Sequence, residues 1–371
     1  MNKSLLVCLI AILLMLLPGC ATIEYEMPSL EEYGFMSVIG FDYVDEKKVK
    51  VVISVPQTSQ EAKEKTQIYK ANVKVAEEAL MVIPTKSEKT IVPNQLRVIL
   101  FSETFARKKG LNQPMRWLYR DPRVGDNVLI GIVKGSVEAL MTAKYENKPE
   151  MGTFLNDLLR PRTETAFHAF TTIHDYIHDS TGECKDPTMP LLEKKQGDVQ
   201  ITKTVILKNG KLAGYLSPQE GKIVQALTDR EKLPAMFYTV EDTQSGKPEK
   251  VVMQFIKSSV RKRNEGSWNQ PAYTINLSMN GDLHQYTGKK DLERPEELAE
   301  LQQEINKEME RLTLQVLRKL QKMGVDPAGF AELIRNKYTG RWNRQIGIKS
   351  WKKATFQVKV DLKIIGLGTL V

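Results

Sequence analysis

The sequence predicts a mixed α/β (α+β) fold, with mixed sheets flanked by helices. Three observations carry this. Runs rich in β-branched residues alternate with stretches whose apolar residues recur at steps of three and four. The 371 residues are enough for two or three domains, each with its own core. Of three cysteines, Cys8 and Cys20 lie in the first 20 residues, so Cys184 stands alone in the rest of the chain. No internal disulfide can then hold the fold, which must rest on apolar packing.

The chain opens with Lys3 and an apolar run over 5–17, too short for a membrane span and the right size for a signal-peptide core. Leu17-Pro18-Gly19-Cys20 follows and resembles the bacterial lipoprotein box, in which a cysteine after small residues receives a diacylglyceryl chain. A thiolate is the side-chain nucleophile most readily alkylated. Residues 1–19 are therefore expected to be a lipoprotein signal peptide, Cys20 the lipidation site, and 20–30 the anchor and tether. The alternative is an ordinary secretory signal with a chance cysteine. No later segment is apolar enough to span a bilayer. The net charge of +9 suits a body held close to anionic head groups, or simply a lysine-rich surface.

Residues 35–41 and 49–55 read as paired strands around the charged turn 45–48. Residues 70–82 carry Val73, Ala76, Ala79, Leu80 and Ile83 at helical spacing, and Pro84 stops them. Residues 96–101 form a strand, and 103–109 a short helix ended by Gly110. A buried-type strand covers 128–133. Ser136 caps a helix with Glu138 in its first turn, and a helical stretch runs over 151–178. The charged, proline-broken segment 182–197 places a domain boundary. Domains are thus expected at 31–190, 197–290 and 291–371, with 197–371 alternatively a single region.

Beyond the boundary, 199–207 and 212–216 flank Asn209-Gly210, a hairpin signal. Ser217, Pro218 and Glu220 have capping-box spacing, and 251–256 and 273–279 are strands. A long helix starts at Pro295. Its stripe of Leu298, Leu301, Ile305, Met309, Leu312, Val316, Leu320 and Met323 reads as a core face, with a coiled-coil seam as the alternative, and Gly324 closes it. Asp326-Pro327 opens another helix through Tyr338. Alternation from Phe356 to Ile364 makes the last element a half-buried strand.

Signals for chemistry are few. His174 and His178 lie one helical turn apart and could grip a metal with Asp175 or Cys184, but no third ligand follows at a familiar distance. The expectation is a solvated helix surface and no metal. There is no phosphate loop and no nucleophile elbow. Cys184 sits in a polar linker without an activating base, so no catalytic residue is assigned. Arg261-Lys262-Arg263, with only Trp268 near it, reads as a strand end or lipid-facing patch, not a nucleic-acid site.

Several stretches together resemble the Ger(x)C family, the lipoprotein C subunits of spore nutrient-germinant receptors. They are Val38-Ile39-Gly40-Phe41-Asp42, the strand and helix from Ile99 to Leu111, Arg120-Asp121-Pro122, and Val133-Lys134-Gly135. The hairpin and helix from Lys211 to Glu220 belong with them, as do Phe330-Ala331-Glu332, Arg335, Lys337-Tyr338, Trp342, Trp351 and the closing strand 358–364. The family commonly places Trp-Asp after the lipidated cysteine, where Ala21-Thr22 stand here.

The resemblance implies an elongated, three-domain lipoprotein without catalysis or cofactor. It implies a place on the outer face of the spore inner membrane. The implied partners are a membrane-spanning A subunit and a permease-like B subunit. A solute-binding lipoprotein of a membrane importer is the alternative function. It would need two similar lobes, and neighbouring genes would discriminate.

Overall fold

A computed structural model describes residues 29–57, 65–160, 167, 171–241, 246–338, 340 and 343–367. Residues 34–371 form one compact unit and 1–33 another. In the smaller unit, Leu30–Glu32 make a single 3-10 turn. Cys20, His168 and Trp342 lie outside the described residues.

The larger unit is built on two sheets. The first has four parallel strands at its centre: β1 (Val38–Tyr43), β4 (Val98–Ser102), β5 (Leu129–Val133) and β6 (Thr188–Lys195). Antiparallel strands extend both sides: β2 (Val49–Pro56) and β3 (Thr66–Val73) beyond β1, β7 (Asp198–Lys208) and β8 (Lys211–Leu216) beyond β6. The order is β8-β7-β6-β5-β4-β1-β2-β3. Strands β1, β4 and β5 are buried along almost their whole length, as parallel strands sandwiched between helices must be. Ile39, Phe41, Ile99 and Phe101 face one apolar cluster; Val38, Val98, Leu100 and Leu155 face the other. The mixed α/β fold expected from the sequence is present.

Two segments differ from their sequence reading. Residues 70–73 belong to β3, and only short turns at Ala76–Glu78, α1 (Ala79–Val82) and Ile83–Lys86 are helical. Tyr69, Ala71 and Val73 are buried at every second position, and that alternation wins over the coincident three-four spacing. The expected helix over 151–178 is two, α5 (Met151–Leu159) and α6 (Ile173–Thr181). A capping box at Thr172 and Asp175 starts the second. Before them in the chain stand α2 (Glu103–Lys108) and α3 (Asn112–Arg120), between β4 and β5, and α4 (Val137–Met141), after β5.

The expected boundary at 182–197 does not interrupt the first sheet. Residues 188–195 are β6, and the hairpin after them adds β7 and β8 to the same sheet. Met189, Leu191 and Leu192 are fully buried inside a segment whose Pro190 and charged end read as linker. Asn209 and Gly210 both have positive φ, 52° and 77°, the two-residue turn that matches strand twist.

The second sheet comprises β9 (Lys232–Leu233), β10 (Met236–Glu241), β11 (Pro248–Asn264), β12 (Ala272–Tyr286) and β13 (Thr355–Gly366). One face packs under α7 (Pro218–Leu227), α8 (Pro295–Met323), α9 (Phe330–Lys337) and α10 (Arg344–Lys353). β13 lies parallel to β12, so residues 355–366 return to the sheet formed by 232–286. Helix α8 buries Leu301, Ile305, Met309, Val316 and Leu320 in this core, with Leu312 partly buried. The stripe is therefore a core face. Gly324 takes φ 68°, which closes the helix as only glycine does cheaply.

The polar side of α8 has a second use. Gln302, Asn306 and Glu310 accept hydrogen bonds from the backbone N–H groups of Ile364, Leu362 and Val360, at 2.8, 2.9 and 2.9 Å. Four helical residues advance about 6.0 Å and two strand residues about 6.6 Å, so the two ladders stay in step over three rungs. The outer edge of β13 is thereby capped by side chains.

Candidate functional site

The residues singled out in the sequence fall in three places. His174 and His178 are exposed on α6, where the first meets Tyr119 and the second Asp179, each at 3.3 Å. Among the described residues no group of three or more His, Cys, Asp or Glu side chains is placed to hold a metal ion. Cys184 is 6 % exposed, whereas a polar linker would leave it open. Burial, the largest influence, pushes its thiol pKa up, so it stays protonated at neutral pH. Lys262, in the basic run, points inward: its Nζ donates to the carbonyls of Leu227 (3.0 Å) and Ala328 (2.8 Å) and sits over the Phe330 ring. Arg261 and Arg263 are exposed.

The structure brings the quoted stretches together at one edge of the first sheet. Arg107 on α2 binds Glu103 and donates to the Tyr215 hydroxyl on β8 at 2.5 Å. Leu111 N–H donates to the Gly210 carbonyl at 2.9 Å, and Tyr176 donates to Asn112 at 2.7 Å. A side chain on Gly210 would strike Asn112 at 2.5 Å. At the far end of β1, Asp42 accepts from Ser136 Oγ and from the N–H groups of Val137 and Glu138, at 2.8, 2.9 and 2.9 Å. A carboxylate on a helix start is stabilised by the exposed N–H groups. These motif residues hold the fold.

Where the segment before β6 meets the loop after α8, a small cavity of about 30 Å³ opens. Asp186 N–H donates to the Asp326 carbonyl at 3.0 Å, and Asp326 N–H returns a bond to Asp186 Oδ2 at 2.8 Å. Arg344 donates to Asp186 Oδ1 at 3.1 Å. Asp326 Oδ2 accepts from Ala331 N–H at 2.8 Å, while its Oδ1 and the Trp351 Nε1 have no protein partner. The space suffices for a water to serve such groups. Burial pushes the Asp326 carboxyl up to about 6, against the opposing pull of the Ala331 and Phe330 N–H groups. Sequence reasoning missed this clasp because its members are 140 residues apart.

A larger groove of about 490 Å³ runs beside the edge strand β3. Tyr145 and Phe154 line it, with ring centroids 5.4 Å apart, and Lys148 sits 5.0 Å over Phe154 while pairing with Asp198 at 3.0 Å. Lys65 donates to the Lys148 carbonyl at 3.1 Å. Burial, the largest influence, pushes the Tyr145 hydroxyl up to about 12, so it stays a phenol. No helix among the described residues is long and apolar enough to cross a membrane.

Comparison with known proteins agrees along almost the whole chain. Residues 27–194 match the family model described as the spore germination protein N-terminal domain. Residues 202–368 match that described as spore germination B3/GerAC like, C-terminal. The chain is 23 % identical over 360 residues to the spore germination protein GerQC of Bacillus cereus, covering 97 % of this chain and 98 % of that protein. It is similar in fold to the crystal structure of the GerBC protein, with a TM-score of 0.54 at 17 % identity over 88 % of this chain and 96 % of that one.

Proposed function

We propose a function from one premise: the chain belongs to the GerAC-like family of spore germination proteins, the C subunits of germinant receptors. We infer that it is the lipid-anchored subunit of a nutrient-germinant receptor. It acts without catalysis, through contacts with a membrane-spanning A subunit and a permease-like B subunit. Cys20 carries the lipid and holds the body on the outer face of the spore inner membrane. The observation that carries this reading is the order of the two matched halves, directly after the apolar run and Cys20. The unlike sheets, eight strands and five, also fit poorly with the paired similar lobes of an importer's binding protein.

Deletion of the gene tests the proposal. Dormant spores should lose their response to one nutrient class and keep their response to non-nutrient triggers. Complementation with Cys20→Ala should fail to restore it. Spores that answer every nutrient normally after deletion would overturn the reading.

A further inference from the structure

The second sheet has helices on one face only, and the pairing register shows what the other face carries. Side chains directly opposite across a ladder share a face, as do every second residue along a strand. Lys232 pairs with Lys257, Lys257 with Asn280, and Asn280 with Lys363. Two residues along, Ser259, Ser278 and Asp361 form a row; then Arg261, Asn276 and Lys359; then Arg263, Thr274 and Gln357. The core-facing rows between them hold Met279, Leu277, Leu362 and Val360, which are buried. These rows thus present six cations, all exposed, with the carboxylate of Asp361 among them and that of Asp282 two residues beyond Asn280 on the same face. No ion pair among the described residues engages any of the six, in a protein whose other lysines and arginines often pair.

Two apolar side chains stand at one end of these rows. Phe255 lies in a bulge of β11 opposite Gly281, with φ 51°, a left-handed conformation that is strained for a bulky residue. It is 69 % exposed. Ile365 lies in the matching irregularity of β13, on the other side of Gly281, and is 67 % exposed. Two strand spacings put them about 10 Å apart. Strain that turns an aromatic ring out to water calls for something to receive the ring.

We propose that this face lies against a bilayer surface of anionic phospholipids, with Phe255 and Ile365 entering the head-group layer. Small polar residues, not an apolar centre, separate its cations; a protein interface would bury an apolar core there. Spread cations with an apolar pair at the rim suit a diffuse layer of phosphodiesters over hydrocarbon. The inference rests on the membrane tether at Cys20, which keeps the face within reach of the bilayer.

The test uses the full-length lipidated protein reconstituted on vesicles. Phe255→Cys gives one labelling site for an environment-sensitive dye, since Cys20 is acylated and Cys184 is buried. The dye should shift to the blue and be shielded from an aqueous quencher on vesicles of equal parts phosphatidylcholine and phosphatidylglycerol, but not on pure phosphatidylcholine. Replacing Lys257, Arg261, Lys359 and Lys363 by Ser should abolish shielding while the protein still floats with vesicles and keeps its Tm, because each cation near an anionic surface is worth about fivefold. Equal shielding on neutral vesicles, or shielding retained in the four-residue variant, overturns the proposal. Shielding that appears only when the other receptor subunits are added also overturns it, in favour of an acidic protein partner. A protein that floats with neither vesicle overturns the tether and the docking together.

Discussion

Asp326→Asn should stabilise this protein at neutral pH, and by much less near pH 4.5. Asp326 is fully enclosed, and burial raises its carboxyl to about 6 in the folded state. In the unfolded chain the group titrates near 3.9. The folded state therefore keeps a proton that the unfolded state has released between those values. Stability falls wherever the folded state binds more protons, so this group's contribution declines as pH rises from about 4 to about 6 and is flat above. Two pKa units amount to about 3 kcal/mol. Asn keeps the acceptor for Ala331 N–H and places an uncharged amide where Oδ1 now lacks a protein partner. Loss of a favourable charge for nearby Lys262 takes back part of the gain. The net expectation at pH 7.5 is about 1–3 kcal/mol, or about 2–5 °C in Tm. Urea unfolding of parent and variant at several pH values measures it. Other carboxylates, such as Glu138 between Lys50 and Lys70, are held low and act in the opposite sense, so the difference between the two proteins is the diagnostic quantity. A difference that does not change between pH 4.5 and 7.5, or a variant weaker at pH 7.5 than at 4.5, would refute the buried-carboxyl argument.

Replacing Gln302, Asn306 and Glu310 by Ala together should uncap the β13 edge. Each unmet backbone N–H costs about 1–2 kcal/mol, and an open edge invites strand pairing, so size-exclusion chromatography should show self-association with a lowered Tm. Ile305→Ala, in the fully buried part of α8, should cost about 2–5 kcal/mol in chemical denaturation; an unchanged midpoint would mean the stripe is not core. Mass spectrometry of the mature N-terminus should find a diacylglyceryl group on Cys20. A Cys20→Ala protein that stays wholly membrane-bound through a high-salt wash would count against lipidation as the main anchor.

Elements defined by local chemistry were legible. The Asn209-Gly210 turn, the Ser217 capping box and the bounds of α8, from Pro295 to the glycine after Met323, follow from neighbouring residues alone. Where two periodicities overlapped, as in β3, only burial against β2 decided between them. Strand β6 was hidden because Pro190 and its charged end masked Met189, Leu191 and Leu192, which a central position in the sheet buries. The Asp186–Asp326 clasp and the basic face were not legible for a shared reason. Both are made by residues far apart in the chain, and the cations on β11 and β13 become one surface only through their common partner β12.

Pull-down of the tagged, lipidated protein from detergent-solubilised spore membranes asks whether it belongs to a membrane receptor complex. A membrane-spanning A subunit and a permease-like B subunit should be recovered with it. Recovery of an importer's ATPase and permease instead, or of the chain alone under conditions that keep other receptors intact, would contradict that membership.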